Sequence, residues 1–236
     1  MSRPVFLSAD WRHLALLNYE VDPEVLLPHL PTGTELDYLN GKTYFSLVAF
    51  LFDKTNLFGI LPTLFHRRFE EVNLRFYVTR QDEAGLKRGV VFVKEIVPKP
   101  FLAWTARTFY HENYVSMPMS HDIEGGRKYV YTFGDSHLKV LADGRLIEAA
   151  ENSPERWITE HYWGYTRVSD TETLEYEVKH PVWSLYGIEN FEVQIDIASL
   201  YGPEFVQAFN QGPSSVFLAD GSEVTVHLPK RIQARG

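Results

Sequence analysis

The segment FEEVNLRFYV, residues Phe69–Val78, alternates apolar and polar side chains with the two-residue period of a β-strand. The face opposite the apolar one carries an acid, an amide and a guanidinium in a row, at Glu71, Asn73 and Arg75. From this segment alone, a row that faces solvent is the more ordinary interpretation, because antiparallel strands commonly have one wet face. A row that lines a pocket is the alternative, and the rest of the chain has to distinguish the two.

Turn signals typical of β-hairpins recur along the chain. Asn40-Gly41, Asp143-Gly144 and Asp220-Gly221 each follow a β-type segment and supply residues that adopt the left-handed conformation of tight turns. A longer hairpin loop is predicted at Gln81–Arg88. The predicted strands are Arg12–Tyr19, Glu35–Leu39, Lys42–Phe52, Glu70–Arg80, Gly89–Val97, Thr108–Met117, Arg127–Phe133, Leu138–Leu141, Arg145–Ala149, Thr173–Lys179, Phe191–Ile197, Ser215–Leu218 and Glu223–Leu228.

Short helices are predicted where proline occupies a first helical position, namely at Pro23, Pro100, Pro154 and Pro203. We expect them to extend to about Leu30, Ala106, Tyr162 and Phe209. Many strands joined by tight turns, with few helices, predict an α+β, mainly antiparallel fold whose sheet curls into a barrel. Curled sheets enclose space, which is a first argument that the row at Glu71 faces inward.

The composition predicts one globular domain over residues 1–236, with 44% hydrophobic and 14% aromatic residues and no repeat or low-complexity linker. The net charge of −8 and the scattered basic residues argue against nucleic acid as a partner. Cysteine is absent, which excludes thiol catalysis and disulfides. The longest apolar run, Tyr44–Phe52, is too short for a membrane span, and the first residues do not form a signal peptide. We therefore expect a cytoplasmic protein that does not associate with membranes.

Cofactor motifs are missing from the sequence. No glycine-rich phosphate loop follows a predicted strand, and no Gly-x-Ser-x-Gly motif is present, which argues against nucleotide cofactors and serine hydrolysis. The 9 histidines include no pair at the spacing of a zinc helix. We expect neither cofactor nor metal, although a metal site built from distant segments stays an alternative.

Several segments together resemble the YqjF-like family, a bacterial family of unknown function. They are Phe6–Leu14, Asn18–Glu24, Phe69–Arg75, Glu160–Tyr165 and Ser215–Gly221. This family is similar in turn to the acetoacetate decarboxylase-like superfamily. That resemblance implies an antiparallel β-cone with flanking helices and an enclosed pocket, and it favours the inward orientation of Glu71.

The resemblance to acetoacetate decarboxylase also implies positions for a site. In that enzyme a lysine forms a Schiff base with a β-keto acid, and an arginine and a glutamate lie near it. By segment order, the arginine corresponds to Arg12, the glutamate to Glu71 and the Schiff-base lysine to Tyr114. Because a phenol cannot form an imine, we expect no decarboxylation through a Schiff base. Lys94 and Lys99 are too far from Tyr114 for an alignment error of a few residues to put either at that position, although Lys94 stays an alternative.

We therefore interpret the chain as a small-molecule-binding protein. Glu71 and Tyr114 are the candidate catalytic residues, and Arg12, Asn73 and Arg75 are the candidate substrate-binding residues. The expected ligand is a carboxylated or carbonyl compound, and the expected chemistry is acid/base chemistry of a lyase, dehydratase or isomerase type. A binding module for sensing or carriage, without turnover, is the alternative, and a purely structural or interaction protein is a third. In the structural alternative, Arg12 and Glu71 form an ion pair that holds two strands together, and Tyr114 is an ordinary aromatic residue of the barrel lining. Homo-oligomer formation is left open.

Overall fold

The computed structural model describes residues 3–57, 61–62, 68–100, 103–104 and 113–233. Within these residues a single sheet contains all 15 strands, and its pairings are antiparallel except those that join β6 to β7 and β11. The strands are β1 (Val5–Val21), β2 (Glu35–Leu36), β3 (Thr43–Leu57), β4 (Leu61–Pro62), β5 (Phe69–Asp82), β6 (Gly85–Val97), β7 (Tyr114–Ser116), β8 (Met119–Glu124), β9 (Lys128–Phe133), β10 (Ser136–Glu148), β11 (Trp163–Arg167), β12 (Glu172–Lys179), β13 (Ser184–Gln194), β14 (Ser215–His227) and β15 (Lys230–Gln233).

The described helices are short, and proline begins most of them. They are α1 (Pro23–Leu26) with a 3-10 turn at Leu27–His29, α2 (Pro154–Thr159), α3 (Ile197–Leu200), and α4 (Val206–Asn210) after a 3-10 turn at Pro203–Phe205. The side chains of Asp22 and Ser153 cap α1 and α2 by accepting backbone hydrogen bonds. The predicted starts at Pro23, Pro154 and Pro203 are confirmed. Most of the helix predicted from Pro100 lies outside the described residues, and α3 was not predicted.

The sheet closes on itself and forms a cone. Strands β12, β11, β6, β5, β3, β1 and β14 are neighbours in that order, and β14 pairs again with β12. The closing seam joins Val178 to Val226 and Lys179 to Thr225. From β14 the sheet continues through β13, β10, β9 and β8. The mainly antiparallel α+β cone with a few short helices confirms the predicted fold class.

Two hydrophobic cores lie on the two sides of the cone wall. The inner core contains Phe6, Leu14, Leu16, Val48, Phe50, Phe52, Phe69, Tyr77, Trp157, Tyr176, Trp183 and Phe217, which come from strands around the ring and from α2. The outer core packs the other side of β1, β3 and β5 against β9, β10 and the C-terminal helices; its members include Leu17, Tyr19, Phe45, Leu47, Val72, Leu74, Phe76, Tyr129, Tyr131, Leu138 and Phe205.

Both faces of β5 are therefore buried. Val72, Leu74 and Phe76 belong to the outer core, whereas Phe69 and Tyr77 belong to the inner core. Since alternate residues of a strand share a face, Glu71, Asn73 and Arg75 point inward with Phe69 and Tyr77. These three residues are 3%, 2% and 8% exposed. The solvent-facing interpretation of the row is wrong, and the inward orientation is confirmed.

Of the three predicted tight turns, one is a hairpin turn. Leu39 and Lys42 exchange both backbone hydrogen bonds, at 3.0 and 3.1 Å, around Asn40-Gly41. Asp143-Gly144 and Asp220-Gly221 instead lie inside the continuous strands β10 and β14, so those two hairpin predictions are wrong. Gly221 has a φ of +88°, and a Cβ added there would overlap the Trp11 carbonyl oxygen. Glycine is suited to tight turns because it adopts a positive φ and has no Cβ. At Gly221 the same properties allow a strand irregularity and a close backbone contact.

Strand β1 changes phase in its middle, at a β-bulge. His13 has a φ of 59°, and the register between β1 and β3 shifts between Arg12 and Ala15. Before the bulge, Ala9 and Trp11 pack in the inner core, and after it Leu14 and Leu16 do. Arg12 lies on the opposite side of the strand from its neighbour Trp11.

Candidate functional site

The inner polar row, defined as Glu71, Asn73 and Arg75, is joined by Tyr114 through hydrogen bonds. Asn73 Nδ2 donates to Glu71 Oε1 at 2.9 Å. The Tyr114 hydroxyl donates to Glu71 Oε2 at 3.1 Å. Glu71 and Asn73 meet because they are two residues apart on one face of β5, and Tyr114 reaches them from β7, two strands away across β6. The structure thus brings four of the five selected residues to the interior of the cone.

Arg75 continues this row towards α2. Its Nη2 donates to the Ile158 carbonyl oxygen at 3.4 Å, and its guanidinium carbon lies 5.8 Å from the centroid of the Tyr77 ring. In the described part of the chain, Arg75 Nε and Asn73 Oδ1 are buried without a hydrogen-bond partner. Buried polar atoms are normally satisfied, so the row offers one donor and one acceptor to a further molecule.

Arg12 lies elsewhere. Its Nη2 lies 3.3 Å from Asp10 Oδ2, and its Nη1 lies 4.0 Å from Asp220 Oδ2. The strand register places Arg12 beside Leu51, and Leu51 beside Glu70, whose side chain points away from that of Glu71. The structure therefore does not bring Arg12 to Glu71, because the bulge at His13 leaves Arg12 on the outer side of the cone.

Glu95 is an interior acid that sequence reasoning missed. It is 2% exposed, it lies in register with Asn73 on one side and with Tyr114 on the other, and it shares a face with the inner-core residue Val97. The two-residue spacing between Glu95 and Val97 was the sequence signal that could have predicted an inward orientation for Glu95. Its neighbour Lys94 points to the outer core, where its ammonium donates to the Leu200 carbonyl oxygen and lies 5.9 Å from the Tyr201 ring.

A second polar group enters the interior beside Tyr77. His161 Nε2 lies 3.0 Å from Asp37 Oδ2, and Arg88 binds both Asp37 oxygens at 2.8 and 3.1 Å. Burial lowers the pKa of His161 to about 4, so the imidazole is neutral near pH 7. Burial alone would raise the pKa of Asp37, but the hydrogen bonds from His161 and Arg88 outweigh it and hold this pKa below its usual value.

No cluster of three or more histidine, aspartate and glutamate side chains with the geometry of a metal site occurs among the residues described. None of the described helices has the length and apolar character needed to cross a membrane.

The fold is that of the acetoacetate decarboxylase-like proteins. The chain superimposes on the enduracididine biosynthesis enzyme MppR with a TM-score of 0.66 at 11% identity, covering 99% of this chain and 89% of MppR. It matches acetoacetate decarboxylase from Legionella pneumophila subsp. pneumophila str. Philadelphia 1 with a TM-score of 0.66 at 11% identity, covering 98% and 89%. MppR has also been described in complex with pyruvate, in a structure that matches with a TM-score of 0.63. At such identities the similarity defines the fold alone.

Within this class, the chain belongs to the DUF2071 family. The model of that family, described as "Uncharacterized conserved protein", matches residues 8–223. The chain is also 31% identical over 197 residues to the uncharacterized protein YqjF of Bacillus subtilis (strain 168), which covers 79% of this chain and 76% of YqjF. The predicted resemblance to the YqjF-like family is confirmed.

Proposed function

We propose that the chain binds a small carbonyl- or carboxyl-containing compound inside the cone and performs acid/base chemistry on it without a Schiff base. One observation carries the proposal. A carboxylate only 3% exposed, that of Glu71, receives a hydrogen bond on each oxygen, from Asn73 and from Tyr114, within an aromatic interior. Oriented polar groups in an apolar, enclosed space are typical of ligand sites.

Each polar side chain has a chemical role in this proposal. The Arg75 guanidinium binds a carboxylate of the ligand through its buried Nε, which has no partner in the described chain. Glu71 takes a proton from the ligand or returns one to it. The Tyr114 hydroxyl turns from Glu71 to a carbonyl or enolate oxygen of the reacting ligand and stabilises negative charge that develops there. Such steps suit a lyase, dehydratase or isomerase.

Proteins of the same fold support the ligand class. MppR has been described with bound pyruvate, which is both a ketone and a carboxylate. Tyr114 stands where the resemblance to acetoacetate decarboxylase implies a lysine, so covalent imine chemistry is not part of the proposal. All described strands belong to one sheet, which supports a single domain over residues 1–236, and a cytoplasmic location remains our expectation.

The test begins with a ligand screen and continues with matched variants. Keto and hydroxy acids are screened by thermal shift, and each hit is followed by calorimetry and by NMR for turnover. We expect Arg75→Gln to weaken binding about tenfold or more, and Glu71→Gln to lower turnover by about 100-fold or more while binding persists. Glu70→Gln is the control, because Glu70 adjoins Glu71 on the same strand but pairs with His121 at 2.6 Å on the other face.

The outcomes separate the alternatives. Parent-like turnover in Glu71→Gln would refute the catalytic role of that carboxylate. A ligand that binds tightly and is recovered unchanged after long incubation would identify a carrier or sensor. Borohydride reduction with acetoacetate or pyruvate should leave the protein mass unchanged, and a stable lysine adduct would refute chemistry without an imine.

A further inference from the structure

Buried polar atoms without partners gather around the ring of Tyr77. They are Arg75 Nε, Trp157 Nε1 and His161 Nδ1, and none of them has a hydrogen-bond partner in the described part of the chain. Trp157 and His161 are each 7% exposed, and Arg75 is 8% exposed. The Trp157 and His161 rings lie 4.8 and 4.7 Å from the Tyr77 ring, and the Arg75 guanidinium lies 5.8 Å from it. All three residues therefore border the same side chain.

A chain of polar side chains that begins at the Tyr77 hydroxyl is paired throughout. The Tyr77 hydroxyl lies 2.5 Å from Ser46 Oγ, Ser46 Oγ donates to Asn18 Oδ1 at 2.6 Å, and Asn18 Nδ2 donates to Ser215 Oγ at 3.1 Å. The interior thus satisfies a neighbouring polar chain with its own side chains. Three atoms beside it that have no partner within the described ranges indicate a place for another molecule.

The hydrogen-bonding role of His161 follows from its partner. Asp37 carries a carboxylate held by Arg88, and a carboxylate accepts hydrogen bonds but does not donate them. His161 Nε2 at 3.0 Å therefore carries the proton of the neutral ring. The lone pair of the imidazole is then on Nδ1, so this atom is an acceptor. Trp157 Nε1 and Arg75 Nε are both donors.

We propose that Arg75, Trp157 and His161 form a subsite for a hydroxy acid. The inference rests on the proposed function and narrows its ligand class. The ligand carboxylate accepts hydrogen bonds from Arg75 Nε and Trp157 Nε1, and the ligand hydroxyl donates to His161 Nδ1. A keto acid of the same chain length offers no donor to His161 and leaves this buried acceptor unsatisfied.

The test compares matched pairs of ligands, lactate against pyruvate and 3-hydroxybutyrate against acetoacetate, by calorimetry on the full chain. We expect the hydroxy acid of at least one pair to bind about tenfold more tightly than its keto partner. Trp157→Phe removes a donor that has no partner in the described chain, so the fold is retained, and both members of that pair should bind about fivefold or more weakly. Trp163→Phe is the control, because that ring packs against the outer core under the Lys87 ammonium at 4.0 Å.

His161→Phe removes the acceptor and should abolish the preference for the hydroxy acid while keto acid binding persists. If this variant does not fold because it lacks the hydrogen bond to Asp37, the ligand affinities of Trp157→Phe still test whether the subsite exists. If neither kind of acid binds the parent protein, both this inference and the proposed function are overturned. If acids bind without preference and Trp157→Phe binds them like the parent, ordered water alone fills the subsite; this inference then fails and the proposed function stands.

Discussion

Two buried polar groups in this protein differ in how their atoms are paired. In the Glu175 cluster, the side chain of Glu175 is 0% exposed and lies 2.9, 2.8 and 2.7 Å from Arg80, Lys87 and Lys230. Arg80 and Lys87 also pair with Asp82, at 3.3 and 2.6 Å. In the inner polar row, Asn73 Oδ1 and Arg75 Nε have no partner in the described chain.

The difference distinguishes a structural charge cluster from a candidate site. The Glu175 cluster ties β5, β6, β12 and β15 together with carboxylates and cations that satisfy one another. The hydrogen bonds and charges there hold the pKa of Glu175 down against the burial that would raise it. The residues of the inner polar row are 8% exposed or less, and Asn73 Oδ1 and Arg75 Nε have no hydrogen-bond partner among the described residues. Both groups contain buried charge, and the two atoms without partners in the described ranges are what make the inner polar row the candidate site.

The largest expected effect is on the Glu175 cluster. Glu175→Gln leaves three cations around a neutral side chain and should lower the free energy of unfolding by about 3–5 kcal/mol, measured by urea denaturation. Glu177→Gln is the control, since Glu177 is 26% exposed and pairs with Lys179 at 3.3 Å; its cost should stay below about 1 kcal/mol. Equal stability of the two variants would contradict the structural role of the cluster.

The next effect concerns pH. Burial lowers the pKa of His161 from 6.5 to about 4, so between these values the unfolded chain takes up a proton at His161 and the folded protein does not. Stability is therefore lost as the pH falls through this range. We expect the parent to lose about 2 kcal/mol more than His161→Gln between pH 7 and pH 5, in paired urea titrations. The difference between the two proteins isolates His161 from His180, whose pKa burial also lowers to about 4. Parallel pH profiles would refute a neutral, buried imidazole.

A smaller effect is expected in the inner polar row. Glu71→Gln keeps the shape of the side chain but loses one acceptor towards Asn73 or Tyr114, so unfolding should become easier by about 1 kcal/mol. Urea denaturation of Glu71→Gln and Glu175→Gln under the same conditions compares how much each buried carboxylate contributes to the free energy of unfolding. A loss as large as that of Glu175→Gln would mean that Glu71 also serves mainly the fold.

The smallest effect is expected at Arg12. Its side chain is 36% exposed, and Asp10 keeps a second partner in Lys54 at 2.8 Å, so Arg12→Gln should cost only about 0.5 kcal/mol. Ligand affinity measured by calorimetry should remain that of the parent. A tenfold loss of affinity, with stability unchanged, would mean that Arg12 acts at the site despite its place on the outer side.

Sequence reasoning succeeded where a strand is regular and failed where it is not. The two faces of β5 and the contact of Glu71 with Tyr114 followed from period and from the family resemblance. The register between β5 and β6, however, shifts between Leu74 and Arg75, and this puts Glu95 beside Asn73 and turns Lys94 outward. The sequence of these two strands contains no residue that would predict the bulge, because the position of a bulge depends on packing from both sides of the sheet. The Asp-Gly pairs of β10 and β14 failed for a related reason, since turns and bulges require the same backbone conformations.

The phase change of β1 at His13 also makes the interior depend on chain length. Loss of one residue at that point would turn Leu14, Leu16 and Asn18 out of the cone and bring Leu17 and Tyr19 into it, whereas a substitution changes a single position. Strand β14 changes phase at Gly221, which lies opposite Arg12 in the ladder. An insertion or deletion in one of these strands would therefore need a matching change in the other strand to keep the same side chains in the cone. The number of residues on either side of each bulge thus determines the site as much as the side chains do.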